Sequence, residues 1–180
     1  MSSTRDWEDL FDAQANEPLA WIEVARTLRL GAQPVFTRMQ EIQDVSQNID
    51  AARLEKLGCA RAYMLLTAVV FENMLKAIAV KRGLLTADRG RLRFDRSLSR
   101  NRHGLRRIAE TLKLDLTPGE VDLLERLEQY LVWAARYPVP LLAQQSVRAE
   151  EESLLSLIPS DVQVGDNLFN RLLGIALQAA

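Results

Sequence analysis

No feature constrains the fold of this chain more than the stretch from Ala62 to Val80, AYMLLTAVVFENMLKAIAV. It is apolar on most sides of a 3.6-residue helix instead of along one stripe, and such a helix has to be surrounded by other elements. Leu54, Leu57, Arg61, Leu65, Ala68, Glu72, Leu75 and Ala79 mark its successive turns, so one long helix is predicted to about Arg82, with Gly83 as its C-terminal stop. The longest apolar run, Ala62 to Phe71, ends at Glu72 and falls well short of the roughly 20 residues that span a bilayer, so no membrane partner is expected.

The rest of the chain must supply the surroundings of that helix, and helical spacing dominates it. Pro18 opens a helix with Ile22, Ala25 and Leu28 on one side, which Gly31 interrupts. Pro34 opens the next, with Val35, Met39, Ile42, Val45 and Ile49 inward, unless the two pieces form one kinked helix. Thr86 to Arg102 is poor in apolar residues and reads as a long loop, which in a compact domain is uncommon unless it is functional. Leu105, Ile108, Ala109 and Leu112 give a short helix. Thr117-Pro118-Gly119-Glu120 then has capping-box spacing, with proline at the first helical position. The helix it starts carries Val121, Leu124, Leu127, Leu131 and Ala134, and Tyr137-Pro138 ends it, because the residue before a proline is pushed out of the α region. A polar stretch follows, and a last helix from about Asp166 turns Leu168, Leu172, Ile175 and Ala176 inward. The expected fold is all-α, an up-and-down bundle of about five to seven helices. With 180 residues and 48% hydrophobic composition it forms one domain: helices over 17–50, a core over 51–141, and a loop and helix over 142–180.

Charge is segregated along the chain. Between Lys81 and Arg107 ten basic residues stand against Asp88 and Asp95, a balance of +8, while the whole chain has a net charge of −1. Such a segment suits an anionic partner: RNA, a nucleotide or an acidic protein surface. It also suits the acidic surface of its own chain. A single cysteine, Cys59, and an acidic N-terminus without an apolar signal region place the protein in the reducing cytoplasm.

Scattered single glycines build no phosphate loop, and one His with one Cys builds no zinc site, so no cofactor and no metal are expected. Two constellations remain. Glu72 and Lys76, four apart on the most apolar helix, form either a solvated stripe or a polar patch lining a site. His103 opens its helix among Arg100, Arg102, Arg106 and Arg107, where it serves as a helix cap or as a proton acceptor.

Three blocks, FENMLKAIAVKRGL (71–84), RHGLRRIAETL (102–112) and YLVWAARYPVPL (130–141), together resemble the HEPN superfamily of small helical, RNA- or nucleotide-associated domains. Glu72, Lys76, Gly83, His103, Leu105 and Arg136-Tyr137-Pro138 stand in the order of that family's elements, over roughly residues 55–141. The resemblance implies a HEPN-like bundle that dimerises and binds RNA or nucleotide ligands in defence, toxin-antitoxin or regulatory complexes. Arg100, Arg102, Arg106 and Arg107 would then contact phosphate, with His103 and Tyr137 available for hydrogen bonding or stacking. It also makes Arg136-Tyr137-Pro138 a structural corner, with Trp133 packed inward and Arg136 on the last carbonyls. The chain lacks the late Arg-x(4-6)-His pair of the family's ribonucleases, and Gly104 stands where the family has an acid. Arg96, with six residues between it and His103, is the only stand-in, so the catalytic alternative is a metal-independent ribonuclease built on Arg96 and His103. A helical protein-interaction module is the third reading.

Overall fold

A computed structural model of the protein describes residues 4–42, 49–99 and 103–178. In chain order these residues form α1 (Thr4–Ala15), α2 (Pro18–Glu41), α3 (Ile49–Lys81), β1 (Leu85–Asp88), β2 (Arg91–Phe94), α4 (Arg96–Ser99), α5 (Leu105–Thr111), α6 (Pro118–Gln129), α7 (Ala143–Glu151) and α8 (Ser160–Leu177). A π-helical turn, Tyr130–Ala134, continues α6. The fold is an all-α helical bundle with one small hairpin.

Its axis is α3, in which Met64, Ala68, Phe71, Met74, Leu75 and Ile78 are buried almost completely. By length and composition α3 is apolar enough to cross a membrane over a window wider than its longest unbroken apolar run, and 61% of that window is buried inside the protein. Packing against its neighbours therefore accounts for its composition. The helix ends where Gly83 turns to φ 67°, and the amides of Gly83 and Leu84 donate to the carbonyls of Val80 and Ala79 at 2.9 Å each. Only glycine takes that left-handed step without strain.

Around α3 one hydrophobic cluster gathers Ile22 and Ala25 of α2, Leu105 and Ile108 of α5, Leu124 and Leu127 of α6, and Leu168 and Leu172 of α8. Helix α2 runs antiparallel to α3, with the Phe36 and Tyr63 rings 4.9 Å apart and Arg38 bonded to Glu55 at 2.8 Å. It passes through Gly31 and Pro34 without a break, so the predicted interruption is one helix. Thr117 and Glu120 form the reciprocal capping box that starts α6.

Several expectations are corrected. Helices α1 and α7 bring the described helices to eight, more than the five to seven expected. Residues 86–99, read as a loop, form a hairpin and a short helix. Leu85 pairs with Phe94 and Asp88 with Arg91, around a two-residue turn in which Arg89 and Gly90 have φ 53° and 70°. That is the twist a two-residue antiparallel turn demands. The outer edge of β1 is covered, since the Asn16 side chain accepts from the Ala87 amide at 2.7 Å and donates to its carbonyl at 2.9 Å.

Candidate functional site

The candidate site begins with a charge that the bundle had to place. Glu72 sits on the central helix with only 6% of its surface exposed, and a buried carboxylate needs compensation. Two partners reach it. Lys76, one helical turn along, donates from Nζ to Glu72 Oε1 at 2.8 Å, and His103 Nδ1 lies 2.7 Å from the same oxygen. Both side chains are largely buried, so Glu72 and Lys76 do not form a solvated stripe.

His103 owes its position to the start of α5. Gly104, the N-cap residue, has no side chain to satisfy the first amides of that helix. Glu128 of α6 faces that end instead, where the Leu105 and Arg106 amides favour its charged form. Burial pushes the Glu128 carboxyl up, with the nearby Glu125 charge adding to the effect, and those amides oppose it. The preceding His103 lies over Glu72. A carboxylate oxygen already accepting from an ammonium can only accept again, so Nδ1 carries the proton and Nε2 is the remaining ring nitrogen. The imidazole is 61% exposed while Glu72 is buried beneath it. On its other side Lys76 lies 5.6 Å from the centroid of the Trp21 ring, which extends the polar patch to α2.

The basic segment around this patch divides into used and unused charge. Lys81 donates to the carbonyls of Ile175, Ala176 and Gln178 at the end of α8, and Arg82 donates to the Leu112 carbonyl after α5, so both satisfy helix ends. Arg93 is paired with Asp88 at 2.5 Å. Arg106 is bound by Glu125 and Glu110, whose carboxylates hold its guanidinium proton more tightly than usual and whose own negative charges offset it towards a phosphate. Arg107, exposed on the same helix, has no ion pair among the described residues. It faces a polar cleft shared with Thr111, Glu128, Gln129 and Arg148. Arg96 is exposed at the first position of α4. Arg100 and Arg102 lie outside the described residues.

Comparison of the chain with known proteins finds no matching family model, no matching curated protein and no matching solved structure. The site therefore rests on its own geometry.

Tyr137 is not part of the His103 patch. It is half exposed beside Trp133, Pro138 and Val139 in an apolar groove of its own. Trp133 is buried and donates from Nε1 to Gln129 at 3.2 Å. Arg136 reaches the Leu131 carbonyl at 3.4 Å and the Tyr137 hydroxyl at 3.3 Å, holding the corner that precedes Pro138. Among the described residues no group of three or more His, Cys, Asp and Glu side chains is placed to hold a metal ion.

Sequence reasoning passed over Glu128, Arg126 and Asp161. Arg126 and Asp161 are both buried and bonded to each other, tying α6 to α8, and the Nε of Arg126 has no hydrogen-bond partner. Asp161 sits one residue after Ser160 at the start of a helix, a position that favours carboxylates. That was the available signal.

Proposed function

We propose that this protein is a noncatalytic, cytoplasmic HEPN-like domain that binds RNA or a nucleotide-containing ligand through phosphate, as part of a defence, toxin-antitoxin or regulatory complex. The observation that carries the reading is the exposed His103 ring, fixed from below by buried Glu72, at the head of a helix that also carries the exposed Arg107, which lacks an ion pair among the described residues. A ring held in one orientation offers a base a stacking face and a phosphate or hydroxyl a hydrogen bond, at low entropic cost. Arg100 and Arg102, immediately before it in sequence, add positive charge. Arg106 enters as a positioning residue for α5 and α6. Dimerisation belongs to the same proposal.

The test is fluorescence anisotropy with labelled single-stranded RNA across a salt series. Arg107→Ala is expected to weaken binding and reduce the salt slope by about 0.7, the value of one phosphate on a single strand. His103→Ala weakens binding with little change of slope, and Arg106→Ala has the smallest direct effect. No affinity at low salt, or affinity indifferent to Arg107 and His103, overturns the reading.

One observation favours a second reading. A carboxylate bonded to Nδ1 of an imidazole with Nε2 remaining is also the arrangement of an oriented general base, as a metal-independent ribonuclease requires. RNA cleavage in EDTA that is lost in His103→Ala would establish it in place of simple binding.

A further inference from the structure

A second region, on the other side of α3 from Glu72, carries chemistry that the proposal above does not use. The cleft between α2, α3 and α8 is walled by the rings of Phe36, Tyr63, Phe71 and Phe169 and holds the carboxylates of Asp161 and Asp166. One corner already holds a cation. The Arg29 guanidinium lies 4.3 Å from the Phe169 ring centroid and bonds Asp166 Oδ1 at 2.6 Å. An aromatic face combined with a carboxylate is the pairing that recognises organic cations.

We propose that this cleft binds a small organic cation, a guanidinium or alkylammonium group, between the Tyr63 and Phe71 rings and the carboxylate of Asp166. The charges lining the cleft are two acids and one arginine. Asp161 is already occupied, its Oδ1 by Arg126 and its Oδ2 by the Ile158 amide at 3.0 Å, so Asp166 is the acid left for a ligand. Asp166 accepts only from Arg29 among the described residues, and Oδ2 takes no part in that bond. Tyr63 reports the local field. Burial pushes its phenol up first, and the Asp166 and Asp161 charges push it further, against the opposing effect of Arg29. Size selects the ligand class. The space is about 80 Å³, smaller than the roughly 150 Å³ of an engineered cavity that takes benzene, which suits a guanidinium or methylammonium head. Thr67 and Gly165 also line the cleft.

The same head group can be a free small molecule or the end of a partner's arginine or lysine, and one experiment separates these. The full-length, isotopically labelled protein is titrated with methylguanidinium, with the neutral isostere methylurea, and with the tripeptide Ala-Arg-Ala, while amide shifts are followed by NMR. Saturable shifts at Thr67, Gly165 and Asp166 with methylguanidinium, and none with methylurea, are expected. Asp166→Asn is expected to weaken binding by about tenfold and Tyr63→Leu, which keeps apolar bulk but removes the ring, by several-fold. Tighter binding of the tripeptide assigns the site to a protein partner's side chain, and tighter binding of methylguanidinium assigns it to a free ligand. Absence of saturable shifts, equal response to methylurea, or unchanged affinity in both variants overturns the proposal.

Discussion

Two glutamates of α6 show how neighbouring carboxylates acquire opposite roles. Burial would raise the Glu120 carboxyl, but the guanidinium of Arg171, the Thr117 amide and the capping box together hold it below the ordinary range. Glu128 lacks a comparable cation, and burial wins, so its carboxyl is raised. The consequences for stability have opposite signs. A lowered carboxyl contributes stability above its unfolded pKa, and that contribution disappears as pH falls through the folded value. A raised carboxyl binds its proton more tightly in the folded chain, so its contribution is present below the unfolded value and is lost as pH rises through the folded one. Glu128→Gln keeps an acceptor for the Leu105 and Arg106 amides without the buried charge. Thermal unfolding followed by circular dichroism should therefore show little difference between variant and wild type near pH 4 and a higher Tm for the variant at pH 7.5. A Tm difference that does not depend on pH would mean that Glu128 is solvated and carries no such penalty.

At the scale of elements, what was legible in the sequence is what depends on neighbours a few residues away. Thr117 with Glu120, Pro18, and the stop at Gly83 are local devices, and the chain uses them at the positions the spacing indicates. The hairpin was missed although Leu85, Ala87, Leu92 and Phe94 alternate around Arg89-Gly90. The strands are short, and an Arg-Gly turn is a weaker signal than Asn-Gly. Helix α1 was missed because its stabilising contacts, Asp12 on the Gly90 amide and Asn16 on Ala87, are more than seventy residues away in sequence. The Glu72–Lys76 half of the candidate site was readable from one helical repeat, whereas its bond to His103 joins α3 to the residue before α5, a tertiary contact. Pro34 is the clearest case of packing overriding local preference. A proline inside a helix removes one hydrogen bond and crowds the carbonyl four residues back, at a cost of about 3 kcal/mol, yet contact with α3 carries α2 through it. Pro34 is itself exposed, so Pro34→Ala should restore the bond to Leu30 without disturbing the core. Urea unfolding is expected to show a gain of about 1–3 kcal/mol, the lower end reflecting the stiffer unfolded chain that proline provides. A loss would mean that the residue sets a bend on which α2–α3 packing depends.

Across the whole molecule, burial divides a well-packed body from a satellite held mainly by hydrogen bonds. The body is α3 with α2, α5, α6 and α8. The satellite is α1 with the tip of the hairpin, where Trp7 and Leu10 are more than half exposed and the docking side of α1 is polar. Leu85 and Leu98 anchor the base of the hairpin and α4 in the core; beyond them Asn16 on both backbone groups of Ala87 and Asp12 on the Gly90 amide at 3.0 Å fasten the tip to α1, and Trp21 Nε1, donating to the Ala15 carbonyl at 2.9 Å, fastens the end of α1 to α2. Segments with few buried apolar contacts open at lower free energy than the global transition. Native-state hydrogen exchange should accordingly show the amides of α1, Ala87 and Gly90 exchanging together and far earlier than those of Met74 or Ile78. Asn16→Ala removes two bonds from one edge and should accelerate that group alone, by roughly ten- to a hundredfold at about 1 kcal/mol per bond, leaving core exchange and the denaturant midpoint nearly unchanged. Because His103 is fixed from Glu72 and not from α1, the RNA binding proposed above should survive Asn16→Ala. A variant that lost both would place the satellite within the binding surface, and exchange in the two regions would then respond together when RNA is added.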